Sequence, residues 1–184
     1  MDINTRIAAR VSGLRKARNM SLDALASSSD VSRSMISLIE RGQSNATAVV
    51  LEKLAVALGV TLASLFEDQP ATPAPLIRRH EQPEWRDPQS GYLRRNISPP
   101  GVQSPIQIVE VIFPAGARVA YESSTREPRV HQQIWLLKGR IDVTVGEEVY
   151  AMSTGDCLAF ELKQATAFFN PHHEDAHYAV VISN

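Results

Sequence analysis

The hydrophobic pattern of this 184-residue chain changes period about a third of the way along, and no other feature constrains the fold as much. Residues 1–66 contain no proline, and their apolar residues recur at three- and four-residue spacing, the period of a helix with one buried face. Three prolines then fall within residues 70–75. From residue 76 onward, β-branched and aromatic runs such as "PIQIVEVIFPAG", "QQIWLLKGRIDVTVG", "EEVYAMSTGDCLAF" and "HYAVVIS" alternate with polar residues and end at Gly, Pro, Asn or Asp. A helical period and a strand period cannot be met by one kind of element. The chain is expected to be multidomain, α then β, with a semi-rigid proline spacer over 69–78 between domains at 1–68 and 79–184.

Five short helices are legible in the α part. Ile7, Val11 and Leu14 mark the first. Ser21, an N-cap type, opens a second with Leu22, Leu25 and Ala26 inward. Ser32 opens a third that Gly42 is placed to end. Thr47 opens a fourth, with Val50, Leu54 and Leu58 on one side and Gly59 at its end. Thr61 opens a last turn, "TLASLFE".

The third segment, "SDVSRSMISLIERG", has an apolar back of Val31, Ile36 and Ile39 and a polar front of Arg33, Ser34, Ser37 and Arg41. Only "SSDV" separates it from the second. Two short helices joined tightly, with a polar front on the second, describe a helix-turn-helix, whose second helix enters the major groove. Arg33 suits the O6/N7 edge of guanine, and Ser34 and Ser37 are small enough to let the helix sit deep. Arg41 and the helix N-terminus at Ser21 suit phosphates. Charge agrees in sign: residues 1–66 hold eight Lys+Arg against five Asp+Glu, and the remainder eleven against fifteen, summing to the net −1.

Residues 7–66, through "IAARVSGLRKARNMSLDALA" and "VSRSMISLIERGQSNATAVVLEKLAVALGVTLASLF", resemble the XRE-type (Cro/C1-type) helix-turn-helix family of transcriptional regulators, with a lambda-repressor-like five-helix fold. The resemblance implies DNA contacts at the positions of Ser32, Arg33, Ser34, Ser37, Leu38 and Arg41. Leu22 stands where a DNA-contacting glutamine is common, Asp30 where the turn often has glycine, and Ala46 where proline often precedes helix four.

Roughly residues 90–184 resemble the cupin fold, a double-stranded β-helix or jelly-roll barrel. Cupin enzymes usually hold a metal on the motifs G-x5-H-x-H-x3,4-E-x6-G and G-x5-P-x-G-x2-H-x3-N. Aligned on Gly139, Gln132 takes the glutamate position and the two histidine positions fall among Thr125 to Pro128. In the second motif Gly155 and Asn170 match, but Glu161, Lys163 and Thr166 replace proline, glycine and histidine. A metal site needs several converging His or carboxylate ligands. The expectation is therefore a barrel without metal, cofactor or enzymatic activity that binds a small-molecule effector or holds a homodimer together.

Effector contacts are sought by strand alternation. Gln132 and Thr166 should point into the barrel; Glu110, sharing a face with Ile108 and Ile112, is either buried and functional or an edge residue. Arg94, Arg95 and Arg118 are either counter-ions for an anionic ligand or surface residues. Trp85, Tyr92 and Trp135 are core or ligand contacts, and His131 a lining or rim residue. His172, His173 and His177, in "NPHHEDAHY", read as an exposed turn rather than a metal site.

One cysteine, Cys157, allows no intramolecular disulfide. No stretch resembles a signal peptide or approaches the roughly 18 apolar residues of a membrane span, so a cytoplasmic location without a membrane partner is expected. The whole chain then reads as an XRE–cupin regulator, expected to be a repressor in sign, whose homodimer binds an inverted-repeat operator in double-stranded DNA. The alternatives are a cupin dioxygenase or isomerase with a tethered helical domain, and an antitoxin-like repressor whose β part binds a protein.

Overall fold

In a computed structural model, residues 2–67, 74–102, 104–123 and 129–183 are described. Four α-helices come first: α1 (Ile3–Ala17), α2 (Leu22–Ser29), α3 (Arg33–Glu40) and α4 (Ala48–Ala57). Each starts where a side chain can accept a hydrogen bond from an orphan N–H. Asp2 accepts from Asn4, Ser21 from Ala24, Ser32 from Met35 and Thr47 from Val50. Gly42 and Gly59 end α3 and α4 at φ +65° and +60°, and Asn19 ends α1 at +55°. In all three cases the next residue's N–H reaches back five residues, closing a Schellman motif (Met20 to Arg15, Gln43 to Leu38, Val60 to Ala55). Asp30 closes α2 in the left-handed region, φ 54°, the role that glycine often fills in such turns.

The expected fifth helix is a short 3₁₀ turn, Ala63–Phe66. Its i→i+3 bonds, Ser64 N to Thr61 O and Leu65 N to Leu62 O, are tighter than α-helical ones. Ala63, Leu65 and Phe66 are all buried, and backbone and side-chain groups of this segment bond to the β part. Tertiary partners on several sides leave no helix face free to propagate.

Ten strands follow: β1 (Glu84–Arg86), β2 (Leu93–Asn96), β3 (Ile106–Phe113), β4 (Arg118–Tyr121), β5 (His131–Lys138), β6 (Arg140–Val145), β7 (Glu148–Ser153), β8 (Cys157–Glu161), β9 (Thr166–Phe169) and β10 (Ala176–Ser183). They form two antiparallel sheets, ordered β1-β2-β3-β10-β5-β8 and β4-β9-β6-β7. Alternation decides what faces inward. On β10, Ala176, Tyr178, Val180 and Ile182 are buried, joined by Val109, Val111 and Phe113 of β3 and by Ile134 and Leu136 of β5. Val119, Ile141, Val143 and Phe168 meet them from the second sheet. The Phe168 and Tyr178 rings stack between sheets at 5.9 Å. Gly139, between β5 and β6, has φ +85°, and a Cβ there would lie 2.7 Å from the Asp175 carbonyl oxygen.

The helical part rests directly on one end of the barrel. Phe66 packs against Trp85 at 5.3 Å, and the hydrophobic cluster runs without a break from Leu65 to Val109. Asp87, buried in the loop after β1, accepts from Ala48 N at 2.8 Å at the head of α4. Asn96 donates to the Ala63 carbonyl at 2.8 Å, and Thr61 donates to Gln107, which donates to Glu67. Pro70 and Pro73 of the spacer lie outside the described residues.

Candidate nucleic-acid interface and barrel cavity

The hydrophobic side of α3 is buried: Val31 is 7% exposed, Ile36 0% and Ile39 2%. That leaves Ser32, Arg33, Ser34 and Arg41 exposed and Ser37 and Leu38 partly so. The helix is anchored by a bidentate pair in which Arg15 Nε and Nη2 donate to the Glu40 carboxylate at 2.6 and 2.8 Å, while Arg15 Nη1 donates to the Met20 carbonyl. The Arg15 guanidinium holds the Glu40 carboxyl below its ordinary range. Glu40 thus fixes α3 to α1, and its outward neighbours inherit that orientation.

The serine hydroxyls have local duties. Ser21 and Ser32 cap their helices, and Ser32 Oγ lies 3.1 Å from Ser34 Oγ. Arg33 Nε is 3.1 Å from Asp23 on α2, with both side chains largely exposed. A pair in that setting is worth about 0–1 kcal/mol, so it parks the guanidinium without locking it. Arg41 Nε donates to the Ser37 carbonyl. Leu22, half-buried, packs against the core, and so the position where the family's glutamine often stands serves packing here.

The second concavity opens at the barrel end that faces the helical part. Tyr92, Arg94, Tyr121, Gln132, Thr166 and Tyr178 line it from the β part, and Glu52, Thr61 and Leu62 from the helical part. Its volume is about 60 Å³. The Tyr92 and Tyr121 hydroxyls are 3.3 Å apart. Burial pushes the phenols of Tyr121 and Tyr178 well up, and that of Tyr92 up against the opposing pull of the nearby Arg94 charge. All three stay neutral hydroxyls at ordinary pH.

Of the three expected effector contacts, the structure brings Gln132 and Thr166 to this cavity and sends Glu110 elsewhere. Glu110 lies on the outer face of the first sheet, where Arg95 Nη2 approaches at 2.7 Å and His177 Nε2 at 2.8 Å, while Arg95 also pairs with Glu84. Alternation places Glu110 with Ile108, and Ile108 is itself exposed. The surface alternative for Arg94 and Arg95 is corrected, since they are 7% and 4% exposed, whereas Arg118 is exposed. Arg94 shares the inward face with Tyr92, two residues before it, which is the signal that marks it in the sequence. Its guanidinium lies over the Phe66 ring at 5.6 Å.

Trp85 and Tyr92 are core residues, Trp135 is 51% exposed and His131 lies on the outside. His177 belongs to β10 rather than to the turn that holds His172 and His173. The motif residue Asn170, fully buried, donates to the Phe113 and Glu174 carbonyls and accepts from His172 N, which makes it a loop clamp. Thr125 to Pro128, at the family's histidine positions, lie outside the described residues. Among the described residues, no group of three or more His, Cys, Asp or Glu is placed to hold a metal ion, and no helix is long and apolar enough to cross a membrane.

Residues 13–65 match the helix-turn-helix (HTH_3) family model. Control protein C.MunI of Mycoplasma sp is 38% identical over 68 residues, covering 36% of this chain and 92% of that protein. The HTH-type transcriptional regulator SutR of Escherichia coli is 25% identical over 92% of this chain and 89% of its own length. An HTH_3 family transcriptional regulator from Vibrio cholerae superposes with TM-score 0.80 over 99% of this chain and 97% of that one, at 23% identity, so the two share the fold from end to end.

The expectation of a non-enzymatic chain is corrected by the solved structures. Hydroxypropylphosphonic acid epoxidase from S. wedmorenis aligns over 99% of this chain and 98% of its own, at 16% identity and TM-score 0.48. An enzyme that aligns along the whole length removes the exclusion drawn from the missing motif ligands; at this level of likeness it carries no reaction over to the chain. The helix-turn-helix match and the end-to-end fold agree: this chain belongs to the XRE-type helix-turn-helix family of transcriptional regulators, and its helical part is followed by a two-sheet antiparallel β-barrel.

Proposed function

We propose that the chain is a sequence-specific regulator, a repressor in sign, whose homodimer reads an inverted-repeat operator through α3 of each copy. In this reading residues 1–68 are the DNA reader, 69–78 the spacer and 79–184 the sensor and dimer former, working in the cytoplasm. Arg33 leaves Asp23 to fork onto a guanine edge. Ser34, Ser37 and Leu38 meet neighbouring bases, and Ser21, Ser32 and Arg41 face phosphates. The observation that carries this reading is the division of α3 into a buried apolar back and an exposed polar front held only by local, solvent-facing bonds.

The barrel cavity is the effector site, with Gln132 and Thr166 among its contacts. Thr61 and Leu62 line the cavity and also open the turn that follows α4. A molecule bound there touches both halves, and it shifts DNA affinity by the difference in its affinity for the DNA-competent and incompetent arrangements.

Selection of random duplexes on the purified chain at moderate salt, followed by sequencing, tests the reading. An enriched inverted repeat, with half-sites about one helical turn apart, is the expected result. Enrichment of no sequence, with or without small-molecule extracts present, contradicts it.

A further inference from the structure

We infer that the barrel cavity is a receptor site for a small monocarboxylate, held by the side-on Nε–Nη2 edge of Arg94. This rests on the reading of the cavity as an effector site and names the chemistry of the effector. Neighbouring residues of β2 supply the contrast. Arg95 points out and meets Glu84 and Glu110 at 3.2 and 2.7 Å. Arg94 points in, is 93% shielded by its 7% exposure, and its Nε and Nη2 hydrogen-bond to no protein atom among the described residues. Burying a cation without a carboxylate partner costs several kcal/mol, and the side-chain hydrogen bond with Tyr92 and the contact over the Phe66 ring offset only part of it.

The two orphaned donors identify the ligand. Nε–H and the neighbouring Nη2–H lie parallel in the guanidinium plane, with the spacing of two carboxylate oxygens. The same edge of Arg15 holds Glu40 in this way at 2.6 and 2.8 Å. Around Arg94 the cavity adds neutral donors: the hydroxyls of Tyr92, Tyr121 and Thr166 and the amide of Gln132. Val111, Val119, Val180 and Ile182 supply an apolar end. Glu52 and Glu122 also line the cavity from its helical side, and Glu122 pairs with Lys53 at 3.2 Å. Carboxylates there oppose a second negative charge on the ligand, which selects a monoanion over a phosphate dianion. A volume of about 60 Å³, at roughly 10–15 Å³ per water-sized position, fits about four to six heavy atoms.

The test is calorimetric titration of the full-length chain with sodium propionate, propionamide, methanesulfonate and inorganic phosphate, repeated on Arg94→Met and Arg94→Lys. Propionate is expected to bind, and the isosteric neutral propionamide to bind at least about tenfold more weakly, because it cannot take two charge-assisted bonds. Arg94→Met should abolish the propionate signal, and Arg94→Lys, which keeps the charge but loses the fork, should weaken it. Equal binding of propionate and propionamide overturns the inference. So does tighter binding of methanesulfonate or phosphate, propionate binding that survives Arg94→Met, or no binding of propionate. If Arg94→Met fails to fold, the propionate–propionamide comparison on the wild-type chain decides. Arg94-dependent propionate binding that leaves operator affinity unchanged supports the site and overturns its effector role. An enriched operator without propionate binding does the reverse for the DNA reading.

Discussion

Asp87, a residue of the barrel, accepts a hydrogen bond at 2.8 Å from the backbone N–H of Ala48, the first residue of α4. Thirty-nine positions separate them. The same carboxylate accepts from the N–H and hydroxyl of Ser90 at 2.7 and 2.6 Å, so one buried side chain fixes its own loop and caps a helix of the other half. A negative charge at a helix N-terminus is stabilised there by the orphan N–H groups and the aligned peptide dipoles.

Asp87→Ala removes the acceptor for three donors and leaves Ala48 N–H buried without a partner. Stability should fall by about 1–3 kcal/mol, read as a lower urea midpoint of the full chain by far-UV circular dichroism. An unchanged midpoint would show that Thr47 alone caps α4.

Arg33→Ala should weaken binding to the selected operator by about 1–3 kcal/mol, the worth of a bidentate base contact. Non-specific affinity and dimerisation should change little, since its partner Asp23 is exposed. Asp23→Asn should leave Arg33 freer and tighten operator binding by less than about 1 kcal/mol. Fluorescence anisotropy on operator and scrambled duplexes separates the two effects. Full operator affinity in Arg33→Ala would exclude this residue as a base reader.

The Glu40–Arg15 pair makes the helical half acid-sensitive. Glu40 is held below its ordinary value of 4.5, first by the hydrogen bond from Arg15 and then, against burial, by that residue's charge. A carboxyl whose folded pKa lies below its unfolded one contributes stability above the unfolded value and loses it as pH falls through the folded one. The melting temperature should therefore decline below about pH 4.5 more steeply in the wild type than in Glu40→Gln. At neutral pH that variant should lose about 1.5–3 kcal/mol, typical of hydrogen bonds to charged groups. Parallel pH profiles for the two proteins would count against the pair.

Gly139→Ala should destabilise the barrel by at least about 1–2 kcal/mol, the cost of a side chain in left-handed backbone. The added Cβ also meets the Asp175 carbonyl at 2.7 Å. Differential scanning calorimetry reads the loss. Gly155→Ala, with positive φ but no atom within 4 Å of its Cβ, is expected to lose less.

The helix starts at Ser21, Ser32 and Thr47 and the stops at Gly42 and Gly59 are legible in the sequence because capping is local. Donor and acceptor lie within a few residues, and the residue type alone decides whether left-handed backbone is tolerated. The buried face of α3 is legible for the same reason: the 3.6-residue period names one side as apolar, and only one side is. The last turn is not legible in this way. "TLASLFE" has helical spacing, yet Ala63–Phe66 is 3₁₀, because Asn96 and Gln107, more than thirty residues away, claim its backbone and its Thr61 side chain.

Local hydrogen bonding and hydrophobic period suffice to set the order of a helical and a β part, the starts of α2, α3 and α4, the stops of α3 and α4, and the polar front of α3. Tertiary structure alone decided which face of each strand looks inward. Alternation says that Ile108, Glu110 and Ile112 share a face, but a period of two is symmetric and does not say which side is the core. Pairing across the sheet sent Glu110 out to Arg95 and His177 and turned Arg94 in beneath Phe66. The cavity, its buried cation and the Asp87 cap on α4 likewise exist only once residues far apart in the chain are packed together, since each depends on a partner that no local pattern can name.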